Sequence, residues 1–398
     1  MDIVEGKTRS GAPTECPVCG GDAVESMFSI PDVPVYCNVL YEERDDALAA
    51  KRAEIALAAC QDCGHVFNSE FDPGLVDYDV QYENSLHFSP RFQRYATRLA
   101  DELVDKYDLH DKQVVEVACG KGEFLSLLRQ RGARRTLGFD PSYPEDAPPG
   151  IDERVEVVPA YFDPAYALDD VGLLCCRHAL EHVAKPRGFL DGLRRSLNGD
   201  GAVYFEVPNA DYMLAHGRAW DVIYEHCGYF TRSSLIEVFR RAGFDITETM
   251  PRFGEQFLSI EARVSEAGSL GRHSDIGAKP AMGRAEDFSS LFREQKDRWQ
   301  RALEGMKQRG ERVVVWGAGS KGVTFINIAA PPGAIDCLVD LNPRKQGRYV
   351  AGTGDLIRAP SELRAAAPDV VIVMNKNYHA EVGEILGEMG IQPTIMCA

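Results

Sequence analysis

The chain has 398 residues, too many for one ordinary hydrophobic core, so two or three domains are expected. With 44% hydrophobic and 26% charged residues it has the composition of a soluble globular protein, and its net charge of −17 opposes phosphate backbones and acidic membrane surfaces. Neither nucleic acid nor a membrane is expected as a partner. The first residues carry Asp2, Glu5, Lys7 and Arg9 where a signal peptide would have an apolar run, and no stretch approaches a membrane span, so a cytoplasmic protein is expected.

The chain contains eleven cysteines, an odd number and many for a disulfide protein of this size. In a reducing compartment the clustered ones read as metal ligands and the scattered ones as small buried hydrophobes. Cys16-Pro-Val-Cys19 and Cys60-Gln-Asp-Cys63 each have the spacing that turns two thiolates toward one ion, with 40 residues between the pairs. Four sulfurs make a closed tetrahedral Zn²⁺ shell with no position left for water, the structural kind of site. A redox pair would want a thioredoxin-like βαβ context, which is lacking here. His65 is an alternate ligand or, more simply, a packing or solvent-facing residue, and Cys37 is out of register with both pairs and reads as core. The acidic run Glu42, Glu43, Asp45, Asp46 and Glu54 argues against a nucleic-acid-binding knuckle.

The next segment, from Tyr78 through Tyr82 and His87 to Arg91, is rich in aromatic and polar side chains and precedes a helix from Pro90. It reads equally as a loop that closes over a ligand and as a surface linker with its tyrosines packed beneath.

Val114-Val115-Glu116-Val117-Ala118-Cys119-Gly120-Lys121-Gly122-Glu123-Phe124 reads as a β-branched strand, a glycine turn and a helix start, the crest of a βα crossover where a small ligand sits. Gly120 and Gly122 let backbone approach a ligand without a Cβ in the way, and the Glu116 carboxylate is placed to accept from ribose hydroxyls. A second strand, Thr136 to Asp140, ends in an acid 18 residues past Gly122, the usual position of the ribose partner in a nucleoside-binding α/β domain. A third strand at Val155 leads to Tyr161-Phe162-Asp163, where Asp163 suits an adenine ring or its amino group. A fourth from Val171 ends in Arg177-His178-Ala-Leu180-Glu181-His182, and a fifth runs from Ala202. Glu255 to Glu261 reads as a returning edge strand that completes the domain, with Gln256 toward the cleft.

Beyond a polar, Gly-rich stretch from Gly268 to Arg284, a helix from Glu286 to Lys307 leads into a second α/β unit. Val313-Val-Val-Trp316-Gly317-Ala-Gly319-Ser-Lys321-Gly322 carries a full G-x-G-x-x-G between strand and helix, and Asp340 follows 18 residues after Gly322. Alone it fits a dinucleotide-binding oxidoreductase domain. It fits equally a loop whose amides, with Lys321, hold a diphosphate.

Glu116-Val-Ala-Cys-Gly-Lys-Gly, Gly138-Phe-Asp140 and Leu180-Glu181-His182-Val resemble class I S-adenosylmethionine methyltransferases, with Ala118 in place of the usual first glycine. Adding the cysteine pairs and the Trp316 turn, nearly the whole chain resembles the sugar C-methyltransferases that act on nucleotide-linked 4-keto-deoxysugars. The resemblance implies an α/β fold: a class I methyltransferase (Rossmann-like) core at 78–266, an N-terminal zinc ribbon-like domain at 1–77 and a C-terminal α/β Rossmann-like domain at 267–398. It implies S-adenosylmethionine and structural Zn²⁺ as cofactors, with Glu116, Ala118, Gly120, Gly122, Phe124, Asp140, Pro141, Asp163 and His178 around the methyl donor.

The resemblance also places Tyr224-Glu225-His226 and His182 beside the substrate. This stretch departs from the family by being one residue shorter, lacking a further histidine between tyrosine and glutamate. Chemically, a proton α to a ketone leaves only if a base is close and the enolate oxygen is stabilised. His226 or His182 is the candidate base, Glu225 an orienting carboxylate, and Tyr224, with Tyr82 from the preceding loop, a candidate donor. Other readings are an O- or N-methyltransferase of another small molecule, an NAD-dependent oxidoreductase built on the C-terminal turn, and an inactive binding module anchored by zinc. The partner is expected to be a small-molecule substrate, and the protein a monomer or homodimer.

Overall fold

The computed structural model describes residues 4–5, 15–77, 82–144, 151–166, 168–197, 201–265 and 283–398. Both expected domain borders, 77/78 and 266/267, touch residues outside that set, and most of the polar Gly-rich stretch lies outside it.

The strand Gln113–Val117 is buried on both faces, as its run of valines requires, and it occupies the middle of a seven-stranded sheet. Arg135–Phe139 and then Val155–Val158 lie on one side, and Val171–Arg177 and then Ala202–Pro208 on the other, all parallel. The chain order of these five strands across the sheet is therefore 3-2-1-4-5, with the reversal between the first and fourth strands. A ligand crevice opens at the carboxyl ends of strands at such a reversal. The helix Pro90–Tyr107 packs Phe92, Ala96, Leu99, Ala100, Leu103 and Val104 against the sheet, a stripe at helical spacing. It starts at the Ser89 side chain, which accepts from Phe92 N–H.

Phe257–Val264 returns antiparallel to Ala202–Pro208, and Phe244–Arg252 pairs outside it. The stretch expected at the edge is thus an inner strand, and its full burial from Phe257 to Ala262 fits that place. Phe244–Arg252 forms the edge, with mixed burial.

The second α/β unit is a five-stranded, wholly parallel sheet ordered Ile357–Arg358, Cys337–Val339, Val313–Trp316, Val370–Val373, Thr394–Cys397. The long helix Gly283–Gln308 ties it to the N-terminal segment. Phe292 packs 5.1 Å from Phe28, and Trp299 stands edge-on to Phe325 at 5.3 Å.

The N-terminal sheet sets Val24–Pro34, Arg52–Cys60 and Val66–Asn68 side by side, and its far strand is Gly228–Tyr229 from the middle of the chain. Leu40–Tyr41 likewise pairs with Tyr349–Val350 of the C-terminal unit. The N-terminal part is therefore paired by strands to both of the others. Among the described residues no helix is long and apolar enough to cross a membrane.

Candidate active site between two glycine turns

The four cysteines 16, 19, 60 and 63 converge, with Cys16 and Cys63 sulfurs 3.7 Å apart and Cys19 and Cys60 sulfurs 3.5 Å apart. Zn–S bonds of about 2.3 Å in a tetrahedron put sulfurs about 3.8 Å apart, so the spacing fits a shared zinc ion. His65 is outside the cluster and is buried against Phe67 and Phe230. Cys37 is core, yet its backbone N–H donates to Glu225 Oε2 at 2.7 Å.

A cavity of about 600 Å³ runs from the Gly120 turn to the Gly317 turn. At its first end Glu116 faces the space with its buried Oε2 unpartnered, and burial pushes its carboxyl up to about 8. Asp140 Oδ2 accepts from Gly120 N–H at 2.7 Å and its Oδ1 from Ser142 N–H at 2.8 Å, so this acid shapes the turn while lining the cavity. Ala118 adopts φ 57°, a left-handed backbone that favours glycine, which accounts for the glycine usual there in the resembling family. Gly122, at φ 81°, caps the helix Glu123–Gln130 and does not line the cavity. Phe124 lines it and carries the Arg177 guanidinium 4.2 Å from its ring centre. Pro141 and His178 line it too.

Asp163 does not. Its side chain is exposed and accepts from Ala165 N–H at 2.8 Å, a local turn that directs it to solvent. Tyr161 and Phe162 stand at the cavity wall instead, Phe162 held edge-on to Phe139 at 5.2 Å. Two aromatic side chains at the end of the third strand were a legible signal for a cavity wall.

A buried network that the sequence reading did not single out lies beneath His178. Glu206 sits between Arg177 Nη2 at 3.4 Å and His178 Nε2 at 3.0 Å, and it accepts from the Tyr204 hydroxyl at 3.1 Å and from the Tyr95 hydroxyl. Burial alone would raise its pKa, but Arg177, His178 and Tyr95 bring it down to about 2. Arg177 and Glu206 close the fourth and fifth strands beside the sheet's reversal, so position in the α/β pattern could have found them.

In the middle of the cavity the rings of His182 and His226 meet edge-on, 4.9 Å between centres. The partner of His182 Nδ1 is the Glu225 carbonyl at 3.0 Å; a carbonyl only accepts, so Nδ1 carries the proton and Nε2 the lone pair. Burial lowers the pKa of His182 to about 4 and holds that of His226 well below the ordinary imidazole value, so both are neutral at pH 7.

Glu225 lies behind the wall. It accepts from Cys37 N–H and from the Tyr82 hydroxyl, and burial raises its carboxyl to about 7. Tyr82 lines the cavity, with Asn38 Nδ2 donating to its hydroxyl at 3.3 Å.

Tyr224 is the other correction. It is buried outside the cavity, its ring against Phe71 and its hydroxyl accepting from Asp72 N–H at 2.9 Å. In the short turn from Asp221 to His226, its side chain and that of His226 leave in different directions. The segment 82–89 lines the cavity and is clamped to the C-terminal unit, Glu83 accepting from Asn342 Nδ2 at 2.9 Å and Ser89 donating to Glu381 at 2.9 Å. Residues 78–81 lie outside the described set.

At the far end Gly317, Gly319 and Ser320 open the helix Ser320–Ala329 toward the cavity. Lys345 Nζ donates to Ala318 O at 3.1 Å, and Lys321 Nζ donates to Asp221. Asn38 enters from outside any motif, and no local signal marked it. Gln256 and Asn375 also face the cavity and are hydrogen-bonded to each other.

The parallel sheet with its antiparallel return, and the glycine turn and strand-end acid at its reversal, define a class I methyltransferase core. Residues 89–249 match the methyltransferase domain family and residues 278–392 the C-methyltransferase C-terminal domain family. The chain is 26% identical over 393 residues to the C-methyltransferase NovU of Streptomyces niveus, covering 92% of this chain and 91% of that protein. These matches support an S-adenosylmethionine-dependent C-methyltransferase.

Similar solved structures include the 1,6-didemethyltoxoflavin-N1-methyltransferase of Burkholderia thailandensis, with 18% identity, TM-score 0.34, and 44% of this chain and 82% of that one covered. Another is an S-adenosylmethionine-dependent methyltransferase of Mesorhizobium loti, with 18% identity, TM-score 0.35, and 42% and 99% covered.

Proposed function

We propose that the methyl acceptor is a carbon next to the ketone of a nucleotide-linked deoxysugar, methylated through an enolate in natural-product or surface-glycan biosynthesis. The observation that carries this reading is the single cavity between two glycine turns with a neutral imidazole pair midway. S-adenosylmethionine, when bound, supplies the methyl group as a sulfonium electrophile.

Glu116, Asp140 and the wall of Tyr161 and Phe162 would hold the donor's nucleoside at one end. The amides of Gly319 and Ser320 with Lys321 and Lys345 would hold a diphosphate at the other, as a helix N-terminus favours an anion. His226, uncharged because it is buried, would take the α-proton, with His182 beside it as the second candidate. The Tyr82 hydroxyl, which accepts from Asn38, would turn its single proton from Glu225 to the forming enolate oxygen. His182 is fixed through the Glu225 carbonyl, so one turn serves both groups. The cysteine cluster would hold a structural Zn²⁺ remote from the proton chemistry, pinning the sheet that receives Gly228–Tyr229 directly after His226. The units 1–77, 78–266 and 267–398 would then divide these tasks, with the N-terminal sheet completed by a strand of the middle unit.

Replacing His226 by Ala should lower kcat by about 10²–10⁴-fold, the usual worth of a general base. Calorimetric S-adenosylmethionine affinity should stay unchanged. Incubating the keto-sugar nucleotide with the enzyme in D₂O without methyl donor should exchange deuterium at the acceptor carbon, and the variant should not. Methyl found on oxygen or nitrogen by mass spectrometry, or full turnover by the variant, would defeat the reading. Because burial holds the imidazole pKa values well below 6.5, the acid limb of kcat/KM should fall well below pH 6.5: the base loses its lone pair only as pH drops through the lowered value.

A further inference from the structure

One buried carboxylate at the acceptor position has no task in the chemistry above. Glu181 is 2% exposed, lines the cavity, and keeps a buried Oε2 without a hydrogen-bond partner. A carboxyl oxygen withdrawn from water and left unpaired is costly unless a proton or a cation satisfies it, and burial raises this carboxyl to about 8. Its neighbours in space are the two imidazoles: one ligand atom each from Glu181, His182 and His226 lies within 4.8 Å of the other two. On a shared ion with bonds of about 2.0–2.1 Å these atoms would stand about 3.4 Å apart, a closure that side-chain rotation supplies. The Nδ1–H of His182 on the Glu225 carbonyl leaves Nε2 as the ligating nitrogen, the outer hydrogen bond typical of metal-bound histidine. The set His₂Glu with an open fourth position suits a divalent transition metal rather than Mg²⁺ or Ca²⁺, which prefer all-oxygen shells.

We propose that Glu181, His182 and His226 form a second metal site, distinct from the cysteine cluster, which takes a divalent cation such as Zn²⁺ and, when filled, blocks methyl transfer. A cation there occupies the nitrogen lone pairs that the acceptor's proton would need. The block rests on the proposed role of these imidazoles. The binding does not.

The test is a Co²⁺ titration of the full-length protein with its cysteine cluster loaded with zinc. One further equivalent should bind with the weak visible bands of nitrogen and oxygen ligands and without the intense near-ultraviolet thiolate band that exchange into the cysteines would produce. Glu181→Gln, which keeps the side chain's shape, and separately His226→Ala should each weaken that binding by at least about tenfold. In the wild-type protein turnover should fall in step with occupancy by Co²⁺ or Zn²⁺ and return on removing the second ion with a mild chelator. No second equivalent, a second equivalent indifferent to both substitutions, or occupancy that leaves turnover unchanged or raises it would each overturn the proposal. Binding is read without substrate, so an error about the acceptor, which product mass spectrometry reveals, stays separate from an error about the metal.

Discussion

The Gly120 turn and the Gly317 turn follow the same local plan, and one cavity joins them. In each a buried strand ends in a glycine turn, a helix begins, and the acid closing the next strand accepts from a turn amide: Asp140 from Gly120 N–H at 2.7 Å, Asp340 from Ala318 N–H at 2.9 Å. They differ in what surrounds the plan. The first turn faces Glu116 and Glu123, and its own Lys121 donates to the Ser142 carbonyl. The second faces Lys321, which donates to Asp221, and Lys345, which donates to the Ala318 carbonyl. A turn scaffold therefore does not dictate its ligand. The side chains placed around it do: carboxyl groups at one end and lysines at the other, which on the proposed reading meet the methyl donor and an anion.

That contrast can be broken most directly by exchanging binding defects. Glu116→Gln should weaken S-adenosylmethionine and leave the acceptor's KM, while Lys321→Ala should raise the acceptor's KM and leave the donor's Kd. Each loses a charge-assisted hydrogen bond of about 1.5–3 kcal/mol, roughly ten- to a hundredfold. Isothermal titration and initial rates read the two arms, and a shared defect would mean the ends are not separate. The glycines sharpen the contrast in stability. A Cβ on Gly322 would lie 2.0 Å from the Gly317 carbonyl oxygen, whereas on Gly122 it would meet only side chains at 3.8 Å and suffer from φ 81° alone. Gly322→Ala should therefore cost about 3 kcal/mol, the upper end of overpacking, and Gly122→Ala about 1–2 kcal/mol, seen as the larger and smaller drops in Tm. The smallest effect is a gain. Ala118→Gly relieves a left-handed alanine worth about 1–2 kcal/mol and adds about 0.5–1 kcal/mol of chain entropy to the unfolded state, so denaturation should show up to about 1 kcal/mol of added stability.

Both turns, the strand-end acids and the cysteine pairs were legible because their residues lie close in sequence and their spacing carries the geometry. The five parallel strands of the central sheet were legible from β-branched runs for the same reason. The edge assignment of Glu255–Glu261 failed because alternation cannot show which neighbour a strand takes; Phe244–Arg252, polar on one face, covers it from outside. Asp163 and Tyr224 were misplaced by one or two residues' worth of backbone direction, since a turn after a strand decides which of three adjacent side chains meets the cavity.

By itself, then, the sequence determined the class of core, the first glycine turn with Glu116 and Asp140, the four converging sulfurs and the second glycine turn, all set by contacts within short stretches of chain. Only the tertiary structure decided that the two turns share a cavity, that Tyr82 and not Tyr224 reaches it, and that Glu181 joins His182 and His226. These depend on segments far apart in sequence, Gly228–Tyr229 in the N-terminal sheet, Leu40–Tyr41 on Tyr349–Val350, Cys37 on Glu225. Such strand pairing leaves no local pattern, because a two-residue strand is too short to carry a period.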